Sequence, residues 1–281
     1  MRCSFKINPY RSIEIITDND QVPTIAQVQD VVSSHKLYPT LIPSEQEMEI
    51  IVGLTKAFVS TTEFHLGLSL PTYEDFVHVV DINFIEEKTG EANRGHYFNG
   101  NAYIARQNNL GEFASTVSHE ITHLFSKEKL IWKIENRQLT IDSHFGGLSL
   151  FRNWILLYNG LDEAVTEMFS KYTTDYAIDG NFINLNDEEI GGSRLLSHAQ
   201  GVHIIDSLLD RRAGNDEDKR MEYVNDLFKA YLLGDLESAL QILDVSKSER
   251  KILRSMEATK ESFTLATKLL GLNKSILKGD I

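Results

Sequence analysis

The 281-residue sequence contains a single cysteine, Cys3, so it can form neither an internal disulfide nor a cysteine-rich zinc module. This excludes a disulfide-stapled fold and favours a reducing compartment. Clusters of positive charge are also missing, because 28 basic residues are dispersed among 41 acidic ones and the net charge is −13. A field of that sign repels nucleic acid and anionic membranes. We therefore expect neither of them as a partner.

Long hydrophobic runs are absent as well. None approaches the roughly 20 residues of a membrane-spanning helix, and residues 1–8 lack the apolar core of a signal peptide. The chain has no internal repeat and no linker rich in Pro, Gly and Ser. With 42% hydrophobic and 25% charged residues it can build a core. We expect a soluble, cytoplasmic globular protein, with export by a route that needs no cleaved signal left open.

Up to residue 108 the sequence mixes strand and helix patterns. Ser12–Thr17 predicts a short strand, and Phe76–Phe84, which is rich in β-branched and aromatic residues, predicts another. Ser44 with Glu47 three residues later is typical of a capping box at a helix start. Asn99-Gly100, between two short apolar segments, is a strong signal for a β-hairpin. Residues 1–108 are therefore predicted to form a mixed α/β region with an edge-strand hairpin.

From Asn109 onward the pattern is mostly helical. Asn109 with Glu112 three residues later predicts a helix that runs to about Lys127. A hairpin around residues 145–147 and a helix over Leu161–Tyr172 follow. Beyond the polar segment Asp179–Gly192 the chain is again mainly helical. This part of the chain is divided into two regions, residues 109–178 and residues 179–281.

The helix predicted after Asn109 contains His119-Glu120-Ile121-Thr122-His123, which matches the pattern H-E-x-x-H. Two imidazoles one helical turn apart can share one zinc, and the intervening glutamate can deprotonate the water of that metal. The alternative is a pair of exposed histidines on an amphipathic helix. Both faces of this helix are organised, however. One carries Phe113, Val117, Ile121 and Leu124, and the nearly opposite one carries Glu112, Thr116, His119 and His123.

A later helix offers the third protein ligand that a tetrahedral catalytic zinc needs. Glu163 and Glu167 lie four residues apart, opposite an apolar stripe. That stripe consists of Leu161, Val165, Met168 and Tyr172. If the two helices pack beside each other, Glu163 reaches the zinc of the histidines and Glu167 can accept a ring N–H from one of them. Taken alone, such a glutamate pair is common on the surface of helices.

The H-E-x-x-H helix followed by Gly160-Leu-Asp-Glu-Ala-Val-Thr-Glu167 resembles the gluzincin branch of zinc metallopeptidases, the thermolysin-like and aminopeptidase-like group. It is also similar to uncharacterised bacterial proteins classed as metallopeptidases. The likeness covers roughly residues 97–175 and is specific at the two helices. The metzincin extension H-x-x-G-x-x-H after His123 is missing, and so is the exopeptidase signature G-x-M-E-N upstream. The second absence favours an endopeptidase over an aminopeptidase.

The resemblance implies a role for each matched residue. The zinc ligands would be His119, His123 and Glu163. Glu120 would act as general base and then as general acid, and Glu167 would orient a ligand histidine. The implied fold is α+β and zincin-like, with a small mixed sheet over the H-E-x-x-H helix and a mainly helical C-terminal lobe. In such peptidases an extended substrate lies along an edge strand, for which the candidate is Asn101–Arg106, with Asn101, Ala102 and Tyr103 as substrate-binding residues.

A donor that stabilises the tetrahedral intermediate, often a tyrosine or histidine, is expected near the zinc. His198 and His203 follow the Glu163 helix at a plausible distance. His198 stands where related sequences often carry a polar aromatic residue, so we take it as the candidate. For either histidine the alternative is a packed or surface position.

These motifs predict zinc-dependent hydrolysis of a peptide or protein substrate. Two alternatives stay open. The first is a non-catalytic zinc-binding scaffold that retains the fold, and the second is a protease dedicated to one partner. The presence of Glu120 favours catalysis, because a purely structural zinc site has no need of a base. The sequence does not define the cleavage specificity or the oligomeric state.

Overall fold

The computed structural model describes residues 2–8, 11–17, 39–67, 76–81, 94–98, 101–135, 138–152, 155–193 and 198–272, together with residues 24, 26, 83 and 85. The described strands are β1 (Arg2–Asn8), β2 (Arg11–Thr17), β3 (Val77–Val80), β4 (Gly95–Phe98), β5 (Asn101–Ala105), β6 (Glu128–Glu135), β7 (Gln138–Gly146), β8 (Ser149–Arg152) and β9 (Ile155–Leu157). The described helices are α1 (Glu45–Leu66), α2 (Leu110–Phe125), α3 (Asn159–Asp179), α4 (Asp187–Ser193), α5 (Ala199–Ala213), α6 (Glu217–Leu233), α7 (Leu236–Ile242), α8 (Lys247–Ser255) and α9 (Lys260–Leu269). This composition confirms an α+β fold.

Three short strands form a mixed sheet in the order β3-β5-β4. Strand β3 runs parallel to β5, with Val77 opposite Ala102, and β4 runs antiparallel to β5, with Tyr97 opposite Ala102. The antiparallel pair confirms the hairpin predicted around Asn99-Gly100, although these two turn residues lie outside the described residues. Helix α2 packs against β4 and β5.

The expectation that Asn101–Arg106 is an edge strand is wrong. Strand β5 is the middle strand of this sheet, and both of its sides are paired with neighbouring strands. Asn101, Ala102 and Tyr103 are 7%, 0% and 1% exposed. Their backbone and side chains are therefore buried rather than presented to a substrate. In the described part of this sheet, the strand at the edge next to α2 is β4.

A second sheet has the strand order β1-β2-β6-β7-β8-β9. Strands β7 and β8 pair antiparallel, with Gly146 opposite Ser149, which confirms the second predicted hairpin. Its turn contains Gly147 at φ 52°, a left-handed backbone conformation that glycine adopts at low cost. The next residue, Leu148, donates its backbone N–H to Asp162 Oδ1 at 2.6 Å, so the turn is tied to the first turn of α3.

Local sequence signals set the starts of α1 and α2, two helices that pack against each other. Ser44 and Glu47 form the predicted capping box of α1. Asn109 caps α2 by accepting from the backbone N–H groups of Gly111 and Glu112. The predicted apolar face of α2 is buried, with Phe113, Val117, Ile121 and Leu124 at most 4% exposed. The periodicity of the sequence therefore predicted the buried face of this helix correctly.

Helix α3 is longer than predicted, and its apolar stripe ends earlier. Leu161, Val165 and Met168 are buried as expected, but Tyr172 is 36% exposed. Core packing is therefore the wrong assignment for Tyr172, because the helix has turned this position towards solvent. The polar segment Asp179–Gly192, for which no helix was predicted, contains most of the short helix α4.

The chain divides into two compact units made of non-contiguous segments. Unit 1 comprises Met1–Ser126, Ile131–Ile141 and Phe169–Leu196, and it contains the mixed sheet, α1, α2, α4 and the C-terminal half of α3. Unit 2 comprises Lys127–Leu130, Asp142–Met168 and Ser197–Ile281, and it contains β8, β9, the N-terminal half of α3 and helices α5 to α9. The three regions expected from the sequence divide the chain at residues 108 and 178, where neither unit begins or ends. Among the described helices, none combines the length and the apolar character needed to cross a membrane.

Candidate metal centre

The two histidines of the H-E-x-x-H motif converge on one face of α2. Their Nε2 atoms lie 3.2 Å apart, and their rings are nearly perpendicular, with an interplanar angle of 70°. Both side chains are half-buried. Two nitrogen ligands of a tetrahedral metal at bond lengths of about 2.05 Å are separated by roughly 3.3 Å. The observed separation of His119 and His123 therefore suits a shared metal ion.

Helix α3 supplies the third donor. Ser118 Oγ on α2 donates to the carbonyl oxygen of Ser170 at 2.8 Å, which ties α2 to α3. Glu163 lies on the same continuous helix, seven residues or about 10 Å earlier along its axis. One ligand atom from each of His119, His123 and Glu163 lies within 4.8 Å of the other two. These three residues could hold a metal ion, and within the described residues they are the one group that meets this criterion.

The glutamate of the motif is buried against strand β4. Glu120 is 6% exposed. A Cβ placed on Gly95 would collide with Glu120 Oε1 and would lie 2.7 Å from Glu120 Cγ and 2.8 Å from the methyl group of Thr116. The backbone of β4 therefore approaches the carboxylate as closely as a residue without a side chain allows.

Two further side chains of β4 lie near the histidines. The ring of Tyr97 stacks on that of His123, with centroids 6.1 Å apart and an interplanar angle of 22°. Burial, followed by the charge that His123 can carry, lowers the pKa of His96. Both causes disfavour the charged form of the His96 imidazole. Our sequence reasoning did not identify Tyr97, although the hairpin that directly precedes the H-E-x-x-H helix is the signal that would have pointed to it.

The polar face of α2 continues towards its N-terminus as a hydrogen-bonded row. Arg94, the residue before β4, pairs with Glu112, and its guanidinium also donates to Gln107 at 3.3 Å. Gln107 in turn donates to Thr116 Oγ1 at 3.0 Å. These contacts link the start of β4 to the first two turns of α2.

Two other predicted site residues lie beside Glu163. Glu167 is one turn later on α3 and is 2% exposed. His198 immediately precedes α5, and its Nε2 lies 3.7 Å from Glu163 Oε2. The structure thus brings together His119, His123 and Glu163, with His198 in contact with the last of them. Asn101, Ala102 and Tyr103 belong instead to the buried middle strand.

An open cavity of about 670 Å³ lies elsewhere in unit 1, between α1 and the segment 181–189. Its walls include Gly53 and Lys56 on one side and Ile183 and Asn186 on the other. The three residues of the metal group and Glu120 do not line it. This cavity is therefore not the chamber in which the metal group would act.

Comparisons of the chain with models of protein families, with curated proteins and with solved structures found no match.

Proposed function

We propose that this protein is a zinc-dependent peptidase with a gluzincin-like, zincin-type catalytic site. The observation that carries the proposal is the convergence of His119, His123 and Glu163 within 4.8 Å, with a buried glutamate between the two histidines in the sequence. Two imidazole nitrogens and one carboxylate oxygen are a ligand set of catalytic zinc sites, which leave a fourth position for water or substrate. When bound, zinc supplies Lewis-acid polarisation of a carbonyl and lowers the pKa of water.

In this mechanism a side chain of the protein transfers the proton. Glu120 takes a proton from the attacking water and returns it to the leaving amine. The contact of Glu120 with β4 supports this role, because it limits the carboxylate to few orientations. A base must lie within hydrogen-bonding reach of the proton that it accepts, so a fixed carboxylate is an advantage.

Glu167 is proposed to accept the remaining ring N–H of a ligand histidine. Its burial at 2% exposure supports this role, since a carboxylate is rarely buried without a partner. A carboxylate at such a position fixes the orientation of the ring and raises the basicity of its metal-binding nitrogen. The sequence leads us to expect His198 as a donor to the reacting carbonyl. Its Nε2, however, contacts the carboxylate of Glu163.

The substrate is proposed to be a peptide or protein in extended conformation. Strand β4 is the candidate for pairing with it, since it lies at the edge of the described sheet and packs against α2. A strand at a sheet edge can hydrogen-bond to an added strand, which provides affinity largely independent of side-chain identity. This placement brings an extended chain next to Glu120 and Tyr97.

The proposal is tested by metal analysis together with one substitution. We expect the purified protein to bind one zinc per chain and to cleave members of a diverse peptide library. Glu120→Gln should retain the zinc and lose turnover by at least about 100-fold, which is the lower range for loss of a general base. Glu188→Gln, at an exposed position of α4, is the matched control and should behave like the parent.

Absence of stoichiometric zinc would contradict the proposal, and so would undiminished cleavage by Glu120→Gln. Zinc binding without any turnover would identify a non-catalytic zinc-binding scaffold. Cleavage of a single protein, together with no cleavage of any peptide in the library, would identify a dedicated protease.

A further inference from the structure

His198 is in contact with a carboxylate of the metal group. Its Nε2 is 3.7 Å from Glu163 Oε2, and both side chains are only 21% exposed. A donor for a reacting carbonyl would have to point at the substrate instead. We propose that His198 is a positioning residue, which holds the carboxylate of Glu163 in its metal-binding orientation. The proposal rests on the proposed function only in that Glu163 binds a metal.

The local structure directs the imidazole towards Glu163. His198 is the N-cap residue of α5, yet its side chain makes no capping hydrogen bond to that helix. Its ring packs edge-on against Phe263, with centroids 5.9 Å apart and an interplanar angle of 65°. Phe263 is 2% exposed and so provides a fixed wall. The helix end and this wall together limit the orientations that the imidazole can adopt.

A glycine in the first turn of α5 sets the distance between His198 and Glu163. A Cβ on Gly201 would lie 2.9 Å from Ala164 Cβ and 2.9 Å from ring atoms of Phe263. Helices α5 and α3 therefore touch at Gly201 and Ala164, and Ala164 directly follows Glu163. A side chain at position 201 would separate the two helices and withdraw His198 from Glu163.

The two roles for His198 have different consequences. A group that orients a ligand changes the affinity for the metal, and removal of such partners typically weakens metal binding by about 10–100-fold. A group that stabilises developing charge on the substrate changes the turnover number and leaves metal affinity as it was. Metal affinity therefore separates a positioning residue from an oxyanion donor.

The experiment is a competition titration of zinc against a chelator, with the full-length protein freed of metal. We expect His198→Ala to raise the zinc dissociation constant by about 10–100-fold. His198→Gln should restore most of the affinity, because its amide N–H can reach the same carboxylate oxygen. His203→Ala, within α5 and five positions after His198, is the matched control and should stay within about twofold of the parent. Circular dichroism of each metal-free variant checks that it is folded.

Gly201→Ala provides a second test, because it leaves His198 in place and moves the helix that carries it. It should weaken zinc binding in the same direction as His198→Ala. If the dissociation constant of His198→Ala stays within twofold of the parent, the positioning role is overturned, and a fall in turnover at unchanged affinity would assign His198 to the substrate. A parent protein that binds zinc and cleaves no peptide refutes the peptidase and leaves this comparison intact. A parent that binds no zinc refutes both.

Discussion

Replacing Gly95 by alanine tests how tightly strand β4 holds the proposed base. The new methyl group would collide with Glu120 Oε1 and lie 2.7 Å from Glu120 Cγ, whereas ordinary van der Waals contacts begin at 3.4 Å. Relief of the contact with Oε1, the nearer of these two atoms, requires a movement of about 1 Å between β4 and the carboxylate. Thr116 blocks an alternative path, because its methyl group would be 2.8 Å from the same Cβ. The base or the strand must therefore move.

The expected effect falls mainly on the rate. Misplacement of a reacting group by about 1 Å can cost about 100-fold in rate, so we expect the turnover number of Gly95→Ala to fall by roughly that factor, or about 2.7 kcal/mol in the barrier. Overpacking of a well-packed site also costs about 1–3 kcal/mol of folding free energy. The affinity for zinc should change little, because the three atoms nearest to the added Cβ belong to Glu120 and Thr116 and not to the three proposed ligands.

The assay compares turnover on one peptide, zinc affinity, and urea unfolding for the parent and the variant. Gly191→Ala is the matched control, since a Cβ at that position meets nothing within 4 Å. As an exposed helical site it should keep full turnover and gain slightly in stability. A folded Gly95→Ala protein with the turnover of the parent would show that the close approach of β4 does not fix the base.

Two further predictions concern the stability of unit 2. Thr166→Val removes the buried hydroxyl that lies 2.8 Å from the Tyr231 hydroxyl, and it should lower the free energy of unfolding in urea by about 1–2 kcal/mol. Tyr231→Phe should cost no more. An unchanged urea midpoint for Thr166→Val would contradict the inferred hydrogen bond. Although burial opposes it, hydrogen bonds from Arg211 and Ser246 lower the pKa of Glu249 to about 2. This contribution to stability is complete above the unfolded value of 4.5 and is lost as the pH falls towards 2, so thermal unfolding should show Glu249→Gln destabilised at pH 6 and converging with the parent near pH 2. A constant difference across that range would refute the assignment.

Features encoded within one turn of chain were predictable. The caps at Ser44 and Asn109 depend on side chains two or three residues from the backbone groups that they bind. The orientation of α2 follows from a period of 3.6 residues over four turns. A related local signal was overlooked at α4, where Asn186 accepts from the Glu189 backbone and Glu189 accepts from the Asn186 backbone. This reciprocal pair would have predicted the short helix.

Features that depend on distant parts of the chain were not predictable in the same way. The hairpin signal paired β4 with β5 correctly, but it could not reveal that β3 occupies the other side of β5. Parallel strands are joined by a crossover connection rather than a tight turn, so the sequence of neither strand shows that the two will pair. This is why Asn101–Arg106 was taken for an edge strand.

The candidate site contains one feature that is encoded locally and others that depend on distant parts of the chain. The pairing of His119 with His123 follows from their spacing on one helix, and their 3.2 Å separation agrees with it. The approach of Glu163 depends on how α3 packs, which includes the bond between Ser118 and Ser170 across 52 positions of the sequence. The spacing could suggest Glu163, whereas only the packing places it near the histidines. Gly95 carries no signature at all, because its role is visible only from the atoms that surround it.

The position of the three proposed ligands along the chain has a consequence for folding. Glu163 follows His123 by 40 positions, and the intervening stretch contains strands β6 to β9. A bond that closes a loop of this length restricts the unfolded chain by about 4 kcal/mol in the chain-entropy estimate for cross-links. A metal held at both ends would therefore act as a removable cross-link. It would give a chain with one cysteine the kind of constraint that secreted proteins obtain from disulfides, and chelation would release it.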